Sequence, residues 1–332
     1  MPQSSRSPLA VTASLSPINK LVHFTVVTPD ADRLALFYQR AFGFSRFATE
    51  TRSGPDFEQL TGVTGGARSL MLSLGRQFLE LLEFDRPGRP YPTAVSSSDL
   101  IFQHFAIVVT DIGEAWQRLS AVGGWTAISI GGPQRLPQSS GGVTVFKFRD
   151  PDGHPLELLA FPSGNVPANW SNRSSDSLCL GIDHSAIGVS DSARSIAFYE
   201  TLGFRVAARS LNRGREQTCL DAVDNACVEV TALAARRATP HVELLCYRSG
   251  ARDRSVLQNN DVAATRLVLE AVGPVSEDES VAAASLTDPD GHHLVIVSRI
   301  ASDAMTVPRA APLGFGSAYP TLTTVKPEIP SS

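Results

Sequence analysis

Apolar and polar positions alternate through a β-branched run over 20–28 (KLVHFTVVT), the period of a half-buried strand. Pro29-Asp30 breaks the run, and Asp30 or Asp32 is placed to cap a following helix. That helix carries Leu34, Phe37, Tyr38 and Phe42 at helical spacing and ends at Gly43. Strands are then predicted over 44–49, 69–74 and 77–84, the last two joined by a turn at Gly75. The order is βαβββ.

The same order returns. A strand over 104–109, a helix over 112–122 ending at Gly123, and strands over 125–130, 143–149 and 155–161 make a second copy. A strand over 184–189, a helix over 192–202, and strands over 204–210, 228–232 and 242–247 make a third. LALFYQRAFGF (34–44) in copy one answers SIAFYETLGF (195–204) in copy three. A fourth copy is implied by TDPDGHHLVIV (287–297), which mirrors RDPDGHPLELL (149–159) in copy two; its first strand is predicted over 265–270. Repeats of this length define the architecture before any single element does. Each of the first three copies opens on a histidine (His23, His104, His184) with an aspartate seven positions later (Asp30, Asp111, Asp191). Each also carries one glutamate in its last apolar run: Glu80, Glu157 and Glu243.

The expected fold is therefore α+β, four βαβββ modules paired into two domains. Residues 1–19 read as a flexible leader, 20–161 as a first domain, and 162–177 as a Pro-, Ser- and Asn-rich linker. Residues 178–299 read as a second domain, and 300–332 as an extended or disordered tail without periodicity.

Composition narrows the classes without choosing among them. Of 332 residues, 42% are hydrophobic and 19% charged, the balance of a globular protein with a full core. A net charge of −4 gives no basic surface for nucleic acid or an anionic membrane. No apolar stretch reaches the roughly 18 residues that span a bilayer, and the N-terminus lacks the order of a signal peptide. Four cysteines with no CxxC pair are read as reduced thiols of a cytoplasmic protein.

The four-fold βαβββ organisation resembles the vicinal oxygen chelate superfamily, which includes glyoxalases, bleomycin-resistance proteins and extradiol dioxygenases. The resemblance covers residues 20–298 and rests on the strand-one histidines, FYxxxxGF after the first helix, and DPDGH before a final strand bearing glutamate. It implies that two modules pair so that their curled sheets form a cleft with one metal at its base. Within module one, His23 and Glu80 lie on single strand faces that meet if both point into the curl; His104 and Glu157 do the same in module two. Pairing these modules gathers His23, Glu80, His104 and Glu157, a mixed N/O set suited to one divalent ion such as Fe, Ni, Zn, Co or Mn. The repeat pairs and the middle linker favour this arrangement. Some tandem glyoxalases instead pair module one with four and two with three, which would assemble His104, Glu157, His184 and Glu243. The fourth module offers Ala264, Thr265 or Arg266 where a histidine belongs and Val295 where a glutamate belongs, so the second half reads as degenerate.

Such an ion leaves places for a small-molecule substrate with adjacent oxygens, stabilising an enediolate or activating water or dioxygen. The resemblance to glyoxalase I makes Glu157 the first choice as general base and Glu80 the second. The implied activity is isomerase, lyase or epimerase chemistry next to a carbonyl. Val27 stands where glyoxalase I has an arginine that helps bind glutathione, so a different thiol adduct or a small metabolite is expected. The alternatives are an Fe²⁺-dependent dioxygenase using a facial triad and a metal-independent protein that sequesters a drug. The loop 131–142 is a candidate lid, with Gln134 and Arg135 as substrate contacts, and Arg86 and Arg89 are candidates at the cleft mouth. His154 and His292-His293 are expected on the surface of DPDGH turns. A monomer or homodimer is expected.

Overall fold

The computed structural model describes residues 16–171, 177–237, 239–250, 253, 256–275 and 283–298. The predicted tail, the leader up to residue 15 and residues 172–176 of the predicted linker lie outside these. The aspartate seven residues after each histidine starts the helix that follows. The Asp30 carboxylate accepts from the Arg33 amide at the head of Ala31–Phe42, Asp111 from Glu114 for Ile112–Val122, and Asp191 from Ala193 and Arg194 for Ser192–Thr201. Each cap satisfies amides that the helix leaves free and stabilises it by about 1 kcal/mol. Gly43 ends the first helix at φ 76°, where a side chain would be strained.

Module one has strands β1 (Ile18–Val27), β2 (Ser45–Arg52), β3 (Ala67–Leu74) and β4 (Gln77–Phe84); module two has β5 (Phe102–Val109), β6 (Thr126–Ala127), β7 (Gln134–Arg135), β8 (Thr144–Arg149) and β9 (Pro155–Ala160). Module three has β10 (Cys179–Gly188), β11 (Arg205–Arg213), β12 (Cys227–Ala234) and β13 (His241–Tyr247); module four has β14 (Arg266–Ala271), β15 (Ala283–Thr287) and β16 (His293–Val297). The strand predicted over 125–130 shrinks to the two residues of β6. The short helices Pro55–Thr61 and Arg215–Asp221 were not predicted. At two turns each, they are too short for a helical period to show. Among the described residues no helix is long and apolar enough to cross a membrane.

The sheets do not pair module one with two. One sheet runs β15-β16-β14-β1-β4-β3-β2, joining modules one and four through antiparallel β1 and β14. The other runs β11-β12-β13-β10-β5-β9-β8-β6, joining modules two and three through antiparallel β5 and β10. The chain thus leaves the first sheet after β4, builds the whole second sheet, and returns for β14, so the units 20–161 and 178–299 are not the sheet-sharing units.

The reason lies in what consecutive modules share, which is the back of each sheet. Phe24 of β1 stacks on Phe105 of β5 with ring centroids 5.4 Å apart. Both belong to one continuous core with Tyr38, Phe42, Phe146, Phe148 and Tyr199. The FY and DPDGH motifs are the two halves of this contact. The Tyr38 hydroxyl donates to Asp150 at 2.9 Å, and the Tyr199 hydroxyl donates to Asp288 at 3.3 Å. His154, expected on the surface, is fully buried: Nδ1 lies 2.9 Å from Asp150, and Nε2 reaches the carbonyls of Val27 and Val262 at 2.9 and 3.0 Å. His292 is likewise buried and reaches the Gly188 carbonyl at 2.7 Å, while His293 is partly buried. The motifs look like turns in sequence, but their polar groups are spent on tying modules together. Because side chains alternate across a strand, the opposite face of each sheet is left to line a cavity.

Candidate metal centre

In the second sheet the candidate ligands fall on two neighbouring rungs. Glu157 of β9 and His184 of β10 flank Ala106 of β5; Glu243 of β13 and His104 of β5 flank Ala186 of β10. The small alanines between them leave room for all four side chains on the concave face. His104 Nε2 lies 3.6 Å from Glu157 and 3.4 Å from His184 Nε2. His184 Nε2 lies 4.0 Å from Glu157 and 3.6 Å from Glu243. His104, Glu157 and His184 each offer a ligand atom within 4.8 Å of the others. Glu243 also leans towards His241, 3.4 Å away.

Burial and neighbouring charge set the protonation of these groups in the metal-free protein. Burial, helped by Lys147 and His184, pushes the His104 imidazole well below its usual value, so it is neutral. Burial pushes Glu157 up to about 7 despite the opposing charges of Lys147 and His184. Burial alone would lower His184, but Glu243, Asp183 and Glu157 hold it up at about 9. Burial would raise Glu243, yet His184 and His241 keep it below the usual carboxylate range. The imidazolium of His184 thus neutralises the carboxylates, and an ion that displaces its proton would take over that charge.

A supporting layer orients His184. Asp183 Oδ2 is 3.2 Å from His184 Nδ1, and the Trp170 indole N–H donates to Asp183 Oδ1 at 2.6 Å. Trp170 comes from a short helix, Ala168–Ser171, in the predicted linker, and is buried. Adjacent strand residues normally face opposite sides, but a register shift between Ile182 and His184 brings Asp183 to the same cavity. No sequence pattern announces such a bulge, so Asp183 was missed.

The cavity has a volume of about 200 Å³. Besides the four ligands and Asp183, its walls carry apolar side chains such as Leu159, Leu220, Val230 and Leu245, and the polar Lys147, Gln217 and Tyr247. Lys147, like Asp183, escaped sequence reasoning, because a lone lysine in an apolar strand reads as solvent-facing. The loop 131–142 borders the cavity through Leu136 and Ser140. The two residues proposed from that loop are occupied elsewhere or exposed. The Gln134 amide donates to Ile130 and Gly132 of its own loop, and Arg135 points to solvent. Arg89 makes ion pairs with buried Asp261, and the Arg86 carbonyl accepts from Asn260; neither lines this cavity.

His23 and Glu80 do meet, 3.5 Å apart, but in the first sheet, away from His104 and Glu157. The four residues gathered by pairing modules one and two are therefore not brought together; the set gathered by pairing two and three is. Its donors suit a borderline divalent ion. The two imidazole Nε2 atoms face each other at 3.4 Å, so the proton that His184 shares with His104 in the metal-free protein marks the place that a cation would take.

Residues 20–158 match the family model of the Glyoxalase/Bleomycin resistance protein/Dioxygenase superfamily. Solved structures of similar fold include glyoxalase I from Zea mays, 18% identical, with a TM-score of 0.52 and covering 84% of this chain and 92% of its own. A point mutant of the same maize enzyme is 20% identical over the same shares of the two chains, with a TM-score of 0.55. A Bacillus subtilis protein provisionally assigned as a dioxygenase is 10% identical, TM-score 0.52, covering 85% and 86%. No curated protein matches the chain in sequence.

Proposed function

We propose, from the match of residues 20–158 to the glyoxalase, bleomycin-resistance and dioxygenase superfamily model, that the chain is a divalent-metal-dependent enzyme of glyoxalase type. It acts on a small carbonyl compound with a neighbouring oxygen, by isomerisation, elimination or epimerisation. His104, Glu157, His184 and Glu243 hold the ion. The observation that carries this reading is the convergence of His104, Glu157 and His184 within 4.8 Å at the base of a cavity, with Glu243 beside His184. When bound, the ion supplies Lewis acidity to the substrate's adjacent oxygens.

The residues themselves supply positioning and proton transfer. Glu157, which reaches the cavity from β9 beside His104, is placed to act as the general base. It takes the proton from the carbon next to the carbonyl and returns it to the neighbouring carbon. Asp183, held by Trp170, keeps His184 with Nδ1 turned outwards and Nε2 turned towards the centre. The apolar wall excludes water from the reacting carbon.

A second reading has its own observation. The group His104, Glu157 and His184 is two histidines and one carboxylate, the facial set of non-haem iron oxygenases, while Glu243 is drawn towards His241. Glu243→Gln separates the two: iron-dependent oxygen consumption that survives the substitution favours the oxygenase. The test of the site itself is elemental analysis of purified protein. About one equivalent of transition metal, lost in His104→Ala and His184→Ala and kept in His23→Ala, is expected. Metal lost in His23→Ala but kept in His184→Ala would overturn the assignment.

A further inference from the structure

The cavity that holds the metal ligands also holds a second buried polar group. Lys147 of β8 stands opposite Glu157 in the antiparallel ladder, and its ammonium donates to Asp221 Oδ1 at 2.7 Å. Asp221 ends the helix Arg215–Asp221, and Gln217, one turn earlier, donates its amide N–H to Asp221 Oδ2 at 2.6 Å. A carboxylate only accepts, so this bond fixes the orientation of the Gln217 amide and leaves Oε1 as the free end. That Oε1 is buried without a partner, and so is the Tyr247 hydroxyl. Burial, and then the Asp221 carboxylate towards which the hydroxyl is turned, push the Tyr247 hydroxyl well above its usual value, so it keeps its proton. Both Asp221 oxygens already accept from Lys147 and Gln217. Lys147, Gln217, Asp221 and Tyr247 are all at most 5% exposed. Lys147, Gln217 and Tyr247 line the cavity.

Two strongly polar groups buried without partners each cost about 1–3 kcal/mol, so the fold alone does not account for them. The other half of the molecule shows what the fold does when it has no use for such a group. By the same ladder positions, Ser285 stands opposite Val295 as Lys147 stands opposite Glu157. Phe57 and Thr61 hold the places of Gln217 and Asp221 in the helix Pro55–Thr61, and Phe84 holds that of Tyr247, four residues after the strand's glutamate. Phe57 and Phe84 then pack together, 6.1 Å between ring centroids. The polar quartet therefore belongs to the cavity with the ligands.

The Tyr247 hydroxyl and the Gln217 carbonyl, both on the cavity wall and both gathered about Asp221, together complement a group that both accepts and donates. The Lys147 ammonium there is already paired with Asp221, so no uncompensated cation is left beside them to hold an anionic group. A neutral hydroxyl fits. The size of the cavity suits a single ring: an apolar cavity of about 150 Å³ holds benzene, and this one is about 200 Å³. A glutathione conjugate would not be enclosed.

We propose that the substrate is a compact, single-ring-sized molecule that carries, besides its two adjacent oxygens, a separate hydroxyl recognised by Tyr247 and Gln217. Lys147 and Asp221 are positioning residues that hold Gln217. The helix bearing Gln217 and Asp221 is itself locked to module two, where the Ile130 amide donates to Cys219 and the Ser129 hydroxyl to Leu220. The inference rests on the metal reading above, since the adjacent oxygens are taken to face the ion.

The test is calorimetric titration of the zinc-loaded protein with benzohydroxamate, whose two adjacent oxygens chelate metals, and with its 3-hydroxy and 4-hydroxy derivatives. Tyr247→Phe removes one unpartnered oxygen and is expected to fold normally. One hydroxylated probe should bind wild type at least about tenfold tighter than benzohydroxamate. The gap should close in Tyr247→Phe, with benzohydroxamate itself unaffected. Equal affinities for the three probes in zinc-loaded wild type, or a gap that survives in Tyr247→Phe, overturns the hydroxyl inference alone. Failure to load zinc, or benzohydroxamate affinity unchanged in His184→Ala, overturns the metal reading and this inference with it.

Discussion

On the concave face of the second sheet, one rung carries Glu243, Ala186 and His104, and the next carries Glu157, Ala106 and His184. On the first sheet the matching rungs carry Glu80, Thr25 and Arg266, then Val295, Val268 and His23. Arg266 thus stands where the second sheet has His104, and Val295 where it has Glu157. The consequence is a change in how charge is balanced. Glu80 accepts from Thr25 at 2.5 Å and Ser69 at 2.6 Å, and pairs with Arg52 at 2.6 Å and His23 at 3.5 Å. Burial would raise its pKa, but Arg52 and His23 hold it well below the usual range. Burial pushes Arg266 down to about 10, opposed by Glu80. The cavity there shrinks to about 40 Å³. One sheet fills its centre with covalently attached cations; the other keeps ligands and space for an exchangeable one. Val22, apolar, takes the place of Asp183 in the first sheet, so the orienting partner is missing there too.

The largest expected effect comes from trying to erase that difference. Arg266→His combined with Val295→Glu restores two histidines and two glutamates to the first sheet. Metal content measured by elemental analysis should rise from about one equivalent to about two, the second site being the weaker because Arg52 still occupies Glu80. Stoichiometry that stays at one would mean that the closed 40 Å³ cavity, rather than the missing ligands, excludes the ion.

Next is the cost of breaking the internal pair. Glu80→Ala takes from Arg52 and His23 the carboxylate they pair with, and truncating one partner of a buried ion pair costs about 3–5 kcal/mol. Urea denaturation should show a loss of that size, with metal bound at the second sheet unchanged. Glu243→Gln, nearly isosteric and without arginine partners, should lower metal affinity while costing less than about 1.5 kcal/mol in the metal-free protein. A comparable destabilisation by both substitutions would remove the distinction between a structural and a ligand-holding glutamate.

Asp183→Asn should weaken metal binding by about 10- to 100-fold, the usual effect of removing a histidine's outer partner. Val22→Ala, at the matching position, should leave it unchanged. Competition titration against a chelator measures both. An undiminished affinity in Asp183→Asn would mean that the bulge at Ile182–His184 serves packing alone.

The contrast also explains what could and could not be read from residues. Strand faces follow a two-residue period, so the meetings of His23 with Glu80 and of His104 with Glu157 were legible, as were the capping aspartates. Which module pairs with which was not. The FY and DPDGH motifs alternate between odd and even modules because they join consecutive modules back to back, and a repeat of complementary motifs looks the same whether it builds the cleft or the core behind it. Register was a further blind spot: Asp183 and Arg266 acquire their positions from ladder partners up to 241 residues away (Thr25 to Arg266). The polar lining from Lys147, Gln217 and Tyr247 depends on a seven-residue helix and a strand edge contributed by different modules.

The smallest expected effect tests whether the two centres are independent. Asp261 lies at the approach to β14, where the returning chain brings Arg266 into the first sheet. It accepts from the Arg89 backbone at 2.8 Å and side chain at 3.0 Å, and from the Gln258 amide at 2.7 Å. Burial would raise its pKa, but these donors outweigh burial and hold it below its usual 3.8. A carboxylate whose folded value is depressed stabilises the protein above its unfolded value and loses that contribution as pH falls through the folded one. Asp261→Asn should therefore lower the melting temperature by a few degrees or less at pH 7, and the gap to wild type should narrow below about pH 3.8. Metal affinity at the second sheet should not move, since none of these partners lines that cavity. A gap that is constant down to pH 2 would show that the loss is one of hydrogen-bond geometry rather than of charge, and a shift in metal affinity would show that the entry of β14 is coupled to the ligands of β5 and β10.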